Sequence, residues 1–326
     1  MPTVYLHCGA PKTGTSFLQI LFARYQEQLL AGNIVYPSGS HHEAAMSGKI
    51  TSGNGVALAN YLDPSLPHKI DDKNAFINVL EQTLSEADGK DVLYSSEFIT
   101  FARRERAETL ANVIQRSGYS ARTIYFVRDI GNAARASYIQ RVKRHAETLN
   151  FREYLETWDC LYRDNIRFQK RTFSRANIAI LNYETEKHRI AELMFRDILG
   201  QSFVPSESTV INRSLTEKEI ELMRMMNGLY PAERAQRLAT FVSDALMEIP
   251  KETEAALDQA ELDLLQEKFS DDVAFVNRFI QGPTGIGISR ETVQRRADVA
   301  IDDFETTVIA VLAKVVATVD RGKRQG

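Results

Sequence analysis

The sequence predicts an α/β fold: a central, mainly parallel sheet flanked by helices, with a helical C-terminal extension. Three observations carry this. Short β-rich runs alternate with longer helical patterns over the first two-thirds of the chain. The first such run passes directly into a Gly/Pro/Thr turn and then a helical pattern. From about residue 216 onward the periodicity is helical, with no strand pattern.

Residues 4–8 (Val-Tyr-Leu-His-Cys) are the first strand, and residues 16–30 the helix that follows its turn. Residues 33–36 form a short strand closed by Pro37. Between Pro37 and Pro67 the chain is rich in Gly, Ser, His and Pro and reads as a long irregular excursion, of a length at which loops are usually functional or mobile. Strands are expected at 91–96, 123–127 and 177–182, each after a helical segment. In the last third, Ser214-Leu-Thr-Glu217 is a helix-start signal, a hydroxyl cap with an acid three residues on. Helices are expected around 217–227, 231–247, 258–279 and 290–319. The chain therefore reads as a single domain over 1–326, with an α/β core at 1–205 and a helical extension at 206–326.

Composition narrows the function classes. Hydrophobic residues are 44% and charged residues 25%, the balance of a soluble globular protein, and the formal net charge is −3. No global positive field draws such a chain to nucleic acid or to acidic membranes, so any anion site must be local. Cys8 and Cys160 are too few for a disulfide framework and lack metal-ligand spacing. The apolar stretch 308–319 is too short to span a bilayer and is interrupted by Lys314. With no signal-peptide pattern at the N-terminus, the expected location is cytoplasmic.

The turn after the first strand reads Gly9-Ala-Pro-Lys-Thr-Gly-Thr-Ser16. Gly14 permits close backbone approach, and the N–H groups of Thr13 to Ser16 would face outward at a helix start, where the helix dipole favours negative charge. Thr15 and Ser16 add hydroxyls, and Lys12 adds a mobile cation. Gly9 and Gly14 have the spacing of a Walker A loop, but Thr15 stands where its lysine belongs, and no apolar run ending in Asp supplies a magnesium ligand. A P-loop kinase or NTPase is the alternative this disfavours.

Pro11-Lys-Thr-Gly-Thr-Ser16 resembles the 5′-phosphosulfate loop of PAPS-dependent sulfotransferases, where the lysine lies before the glycine (PAPS is 3′-phosphoadenosine 5′-phosphosulfate). Thr123-Ile-Tyr-Phe-Val-Arg-Asp129 resembles the same family's 3′-phosphate motif, an apolar strand ending in an arginine, then a helix carrying a serine. Two departures stand out. Ile130 replaces the usual proline, and Ala136 takes the place of the serine, with Ser137 one step later. One step is about 100° around a helix, so Ser137 reaches a phosphate only if Gly131-Asn132 distorts the helix start. The resemblance covers residues 1 to about 185 and is closer to the carbohydrate-type and bacterial sulfotransferases.

The resemblance implies a P-loop-like sulfotransferase fold, PAPS as cosubstrate with PAP as product, no metal, and a hydroxyl acceptor of glycan, glycolipid or related type. It implies that Pro11, Lys12, Thr13, Gly14, Thr15 and Ser16 hold the 5′ end, that Arg128 and Ser137 meet the 3′-phosphate, and that Lys12 stabilises the leaving group. Arg213 is a further candidate phosphate contact. For the general base, Glu97 follows the third strand, while His41 and His42 in the excursion are rivals. His7 alternates with apolar residues and reads as structural; Gln140, Lys143 and Arg144 either meet an acceptor or form a solvated face; Tyr183 and Glu184 shape the site at a strand end. A non-catalytic homologue that binds PAP without transferring anything remains a further alternative, raised by Ala136.

Overall fold

The computed structural model describes residues 1–39, 42–49, 51–66, 75–99, 104–173, 177–206, 217–246 and 257–288. His41, Arg213, Ser214 and the expected helix at 290–319 lie outside the described residues. Compact packing divides the chain into two units, one of residues 1–133, 160–211 and 269–287, the other of 134–159, 212–268 and 288–326.

The first unit holds a five-stranded sheet: β1 (Thr3–Gly9), β2 (Ile34–Val35), β3 (Asp91–Ser95), β4 (Ser120–Val127) and β5 (Ile178–Asn182). The spatial order is β2-β3-β1-β4-β5, and every pairing is parallel. All five expected strands are present, and the α/β expectation holds. The near-continuous apolar runs follow from burial on both faces. On one face, Leu93, Ile124, Phe126 and Leu181 pack with Leu18, Leu21 and Phe22 of α1 (Thr15–Arg24) and with Met194 and Phe195. Phe22, Phe126 and Phe195 are fully enclosed and contribute about 1.5–3 kcal/mol each by burial. On the other face, the Thr123 hydroxyl donates to Gln169 Oε1 at 2.7 Å, and the Phe76 ring meets Tyr94 edge-on at 5.9 Å.

Two local expectations are corrected. The helix expected over 16–30 is two helices, Thr15–Arg24 and Gln26–Ala31. Tyr25 leaves helical geometry (φ −104°, ψ 24°), and its ring stacks on Phe203 at 5.8 Å. Tertiary packing of one aromatic outweighs a helical pattern that ran through it. The excursion at 37–67 is less irregular than its composition indicates, for it contains the helices His42–Met46 and Val56–Leu62. The second buries Leu58, Ala59, Tyr61 and Leu62, and that apolar content outweighs the Gly/Ser-rich flanks.

The helices Glu217–Leu229 and Ala232–Leu246 of the second unit match the expected segments, and Gln259–Asn277 fills most of the third. Asn227 fastens the first of these, its amide donating to the carbonyls of Val142 (3.0 Å) and Glu147 (2.9 Å).

His7 sits inside β1 with no exposure, its Nδ1 2.8 Å from Ser95 Oγ and its ring edge-on to Phe22 and Phe126. The structural reading is half right: Nδ1 is paired, whereas Nε2 is buried without a partner. Burial lowers its pKa from 6.5 to about 3. The unfolded chain therefore takes up the proton first, and stability is lost as pH falls from about 6.5 toward 3. A fully titrating proton accounts for about 1.4 kcal/mol per pH unit. His7→Gln is expected to flatten that acid-side loss, read as the urea midpoint across the same interval.

Candidate anion and acceptor site

The loop between β1 and α1 is shaped by two left-handed residues, Lys12 (φ 65°) and Gly14 (φ 76°). Gly14 is the N-cap of α1, and a Cβ there would come within 2.9 Å of Ile190 Cδ1 and 3.2 Å of Tyr183 Cε2. Only glycine fits without strain. Lys12 is the unusual one: a side-chain-bearing residue in this region costs about 1–3 kcal/mol and persists where its surroundings hold it. The loop is tied at both ends. Ala10 N–H donates to the Phe126 carbonyl at 2.9 Å, and the buried Thr13 hydroxyl donates to the Ala10 carbonyl at 2.7 Å.

What remains is a cradle with polar groups to spare. Thr15 is 4% exposed, and its Oγ1 is buried without a hydrogen-bond partner. The first turn of α1 contains no acidic residue to answer the helix dipole. Both features fit a bound phosphate or sulfate-type anion, which would satisfy the hydroxyl and meet the helix start. Pro11 is exposed, while Lys12 and Ser16 are partly exposed.

β3 delivers Glu97 to the same edge. Ser96 N–H donates to the His7 carbonyl (3.1 Å), which keeps the end of β3 alongside β1. Burial holds the Glu97 carboxyl above its usual range, while the Lys12 ammonium pulls it the other way. Two of the three residues expected to do chemistry thus lie within electrostatic influence of one another. The third, His42, heads the helix His42–Met46, and its Nδ1 is buried without a partner.

Arg128 emerges from β4 on the other side of β1, as expected. Its Nε and Nη2 donate to Glu184 Oε1 at 3.0 and 2.8 Å, and its Nη1 to the Lys12 carbonyl at 3.3 Å. The guanidinium also lies over the Tyr183 ring, 5.6 Å from its centroid. Asn132 Nδ2 donates to the same Glu184 oxygen (3.0 Å), and Lys187 Nζ to the other (3.3 Å). Burial would raise the Glu184 pKa, but Arg128, Asn132 and Lys187 together hold it below the usual carboxylate value. Tyr183 and Glu184 thus shape this edge as their sequence position implied.

Other expected residues lie on the helix that follows Arg128. The helix Ile130–Arg144 runs unbroken past Gly131 and Asn132, with the Asp129 carboxylate accepting from the Gly131 N–H at 3.0 Å. Ser137 Oγ lies 2.8 Å from the Tyr154 hydroxyl, and Ala136 is buried. Lys143 is 5% exposed, so the solvated-face reading fails there, and Arg144 donates to Thr240 Oγ1 at 2.9 Å.

Sequence reasoning missed Asn54. Its amide donates to the carbonyls of Leu93 (2.9 Å) and Pro37 (3.1 Å), and its Oδ1 accepts from Ser95 N–H (2.8 Å). One side chain thereby stitches the excursion to the end of β3 beside Glu97. Gly53 makes this approach possible: a Cβ there would lie 2.1 Å from the Ser95 carbonyl oxygen. The signal was the asparagine flanked by two glycines in Gly53-Asn54-Gly55, a turn composition with a backbone-mimicking side chain.

The fold is an all-parallel α/β one, with a candidate anion cradle where its central strand turns into a helix. No protein-family model matches the chain, and no curated protein matches it in sequence. Among solved structures it is similar to a sulfotransferase from Alicyclobacillus acidocaldarius, at 17% identity over 74% of this chain and 96% of that one, with a TM-score of 0.40. It is also similar to the sulfotransferase domain from the curacin biosynthetic pathway (12% identity, 82% and 97% of the two chains, TM-score 0.35). A third is a structure of the PezAT chromosomal toxin–antitoxin system of Streptococcus pneumoniae (18% identity, 70% and 86%, TM-score 0.32). These are loose likenesses, all with TM-scores of 0.40 or below.

Proposed function

We propose that this chain transfers the sulfuryl group of PAPS to a hydroxyl of a carbohydrate, glycolipid or related small acceptor. The observation that carries the reading is the left-handed Lys12–Gly14 turn at a helix start with the buried Thr15 hydroxyl left unpartnered, and Glu97 just past the end of the neighbouring strand β3. A lysine ammonium and a carboxyl whose pKa burial raises suit a reaction that moves negative charge one way and a proton the other.

In this reading Thr15 Oγ1 and the backbone N–H groups of Thr13 to Ser16 hold the 5′-phosphosulfate end, and Arg128 faces the 3′-phosphate. Glu97 accepts the acceptor's hydroxyl proton as the new oxygen–sulfur bond forms. Lys12 stabilises charge on the bridging oxygen as the old sulfur–oxygen bond breaks and PAP departs. Both roles need only the chain's own side chains. The lysine's place before Gly14 is what distinguishes this chemistry from ATP hydrolysis.

Isothermal titration with PAP tests the cofactor assignment. Wild type is expected to bind in the micromolar range, and Arg128→Ala to weaken binding about tenfold or more, the scale of a lost charge-assisted phosphate contact. Wild-type protein that ignores PAP but turns over ATP with magnesium would overturn the reading. Binding of PAP without sulfation of any member of a carbohydrate and lipid panel would point instead to a non-catalytic sensor.

A further inference from the structure

Lys12 adopts a left-handed backbone without being glycine, so something outside the residue must hold it there. Its carbonyl accepts from Arg128 Nη1 at 3.3 Å. Arg128 is itself fixed from two directions. Glu184 Oε1 accepts from its Nε and Nη2, and the Tyr183 ring lies against its flat face.

Glu184 is in turn the most heavily anchored carboxylate at this edge. Asn132 and Lys187 donate to its two oxygens, and its own N–H donates to Asn182 Oδ1 at 3.0 Å, fixing the start of the short helix that carries it. Its side chain is 19% exposed and that of Arg128 15%, so the pair works where solvent screens it little. Tyr183 and Gly14 close the circuit, since the tyrosine ring that bears on Arg128 also lies, beside Ile190, 3.2 Å from where a Cβ on Gly14 would sit.

We propose that Glu184 is a positioning residue: by orienting Arg128 it braces the Lys12 peptide in its left-handed conformation and so sets the shape of the cradle. Arg128 then has two functions, a structural one toward Lys12 and a binding one toward an anion. The consequence for donor binding rests on the sulfuryl-transfer reading; the bracing does not.

The opposite role for Glu184 is a neutraliser that blunts Arg128, and the two roles differ in sign. Loss of a brace loosens the loop and weakens anion binding. Loss of a neutraliser leaves the loop alone and tightens anion binding. Amide hydrogen exchange of the peptide covering residues 9–17, in the ligand-free full-length protein, reads the loop directly. Glu184→Ala is expected to speed exchange there about tenfold, as local opening becomes easier. Arg128→Ala should do the same, and the double variant no more than either alone, because the two residues act in series. Glu184→Gln, which keeps an oxygen acceptor, should restore much of the protection.

Unchanged exchange in Glu184→Ala, or additive effects in the double variant, would overturn the brace. Thermal unfolding of each variant guards against general destabilisation, and if Glu184→Ala fails to fold, Arg128→Ala still tests the brace, since unchanged exchange over residues 9–17 in that variant overturns it. PAP titration is the second arm: about tenfold weaker binding in Glu184→Ala agrees with the brace, and tighter binding overturns it. If wild type binds no PAP at all, the sulfuryl-transfer reading fails while the exchange data still judge the brace.

Discussion

Lys12→Ala is expected to lower the rate of the proposed sulfuryl transfer by about 10²–10³-fold, the usual loss when one preorganised charge-stabilising group is removed from an active site. The loss should fall on kcat rather than on donor affinity, because the ammonium acts chiefly on charge that appears only as the bond to the leaving phosphate breaks. Lys12→Arg should not rescue it fully: the planar guanidinium is a different shape from a compact ammonium. Alanine keeps the strained backbone position but removes the long side chain, so the fold should survive, which circular dichroism and thermal unfolding check. Steady-state kinetics at saturating donor and acceptor is the deciding measurement. A variant with wild-type kcat would remove Lys12 from the chemistry.

Glu97→Gln is expected to cost about 10²–10⁴-fold in kcat, the range of a lost general base. Its signature is a second, opposite effect. Burial holds the Glu97 carboxyl above its ordinary range despite the Lys12 charge. The unfolded chain therefore releases this proton more readily than the folded one, and the charged form costs stability at neutral pH. The cost disappears as pH falls below the unfolded value, where the carboxyl is neutral in both states. Glu97→Gln should accordingly melt higher than wild type at neutral pH, with the gap closing in acid. In wild type the acid limb of the rate profile should sit above the ordinary carboxylate range and vanish in the glutamine variant. A wild-type kcat in Glu97→Gln would remove Glu97 as the base and make His42 the base to test, and no gain in neutral stability would overturn the raised carboxyl.

Much of this candidate site was legible in the sequence, for a definite reason. Lys12, Gly14 and Thr15 lie within one loop whose chemistry is local, and Glu97 and Arg128 each follow an apolar run whose end lies at a predictable sheet edge. What stayed hidden depends on long-range pairing. Nothing near Asn54 announces that it will meet Leu93 and Ser95, and nothing near Asn132 announces Glu184. The break at Tyr25 was hidden for the same reason, since Phe203 lies far along the chain. Ser137 shows the converse. Its one-residue offset was visible, and the unbroken helix keeps it, with the hydroxyl beside Tyr154.

β5 stands at the edge of the sheet, and the chain returns to it only after the helix Gln259–Asn277. Ile280 bridges Ile180, Gln281 N–H donates to the Ile180 carbonyl at 2.8 Å, and the Asn182 amide donates to the Gly285 carbonyl at 2.9 Å. During synthesis, β5 thus leaves the ribosome well before residue 280, the partner that shields its outer backbone. For that interval the nascent protein presents a bare strand edge of the kind that recruits neighbouring chains. Its yield in a cell should depend on chaperone supply and translation speed more than its finished stability suggests.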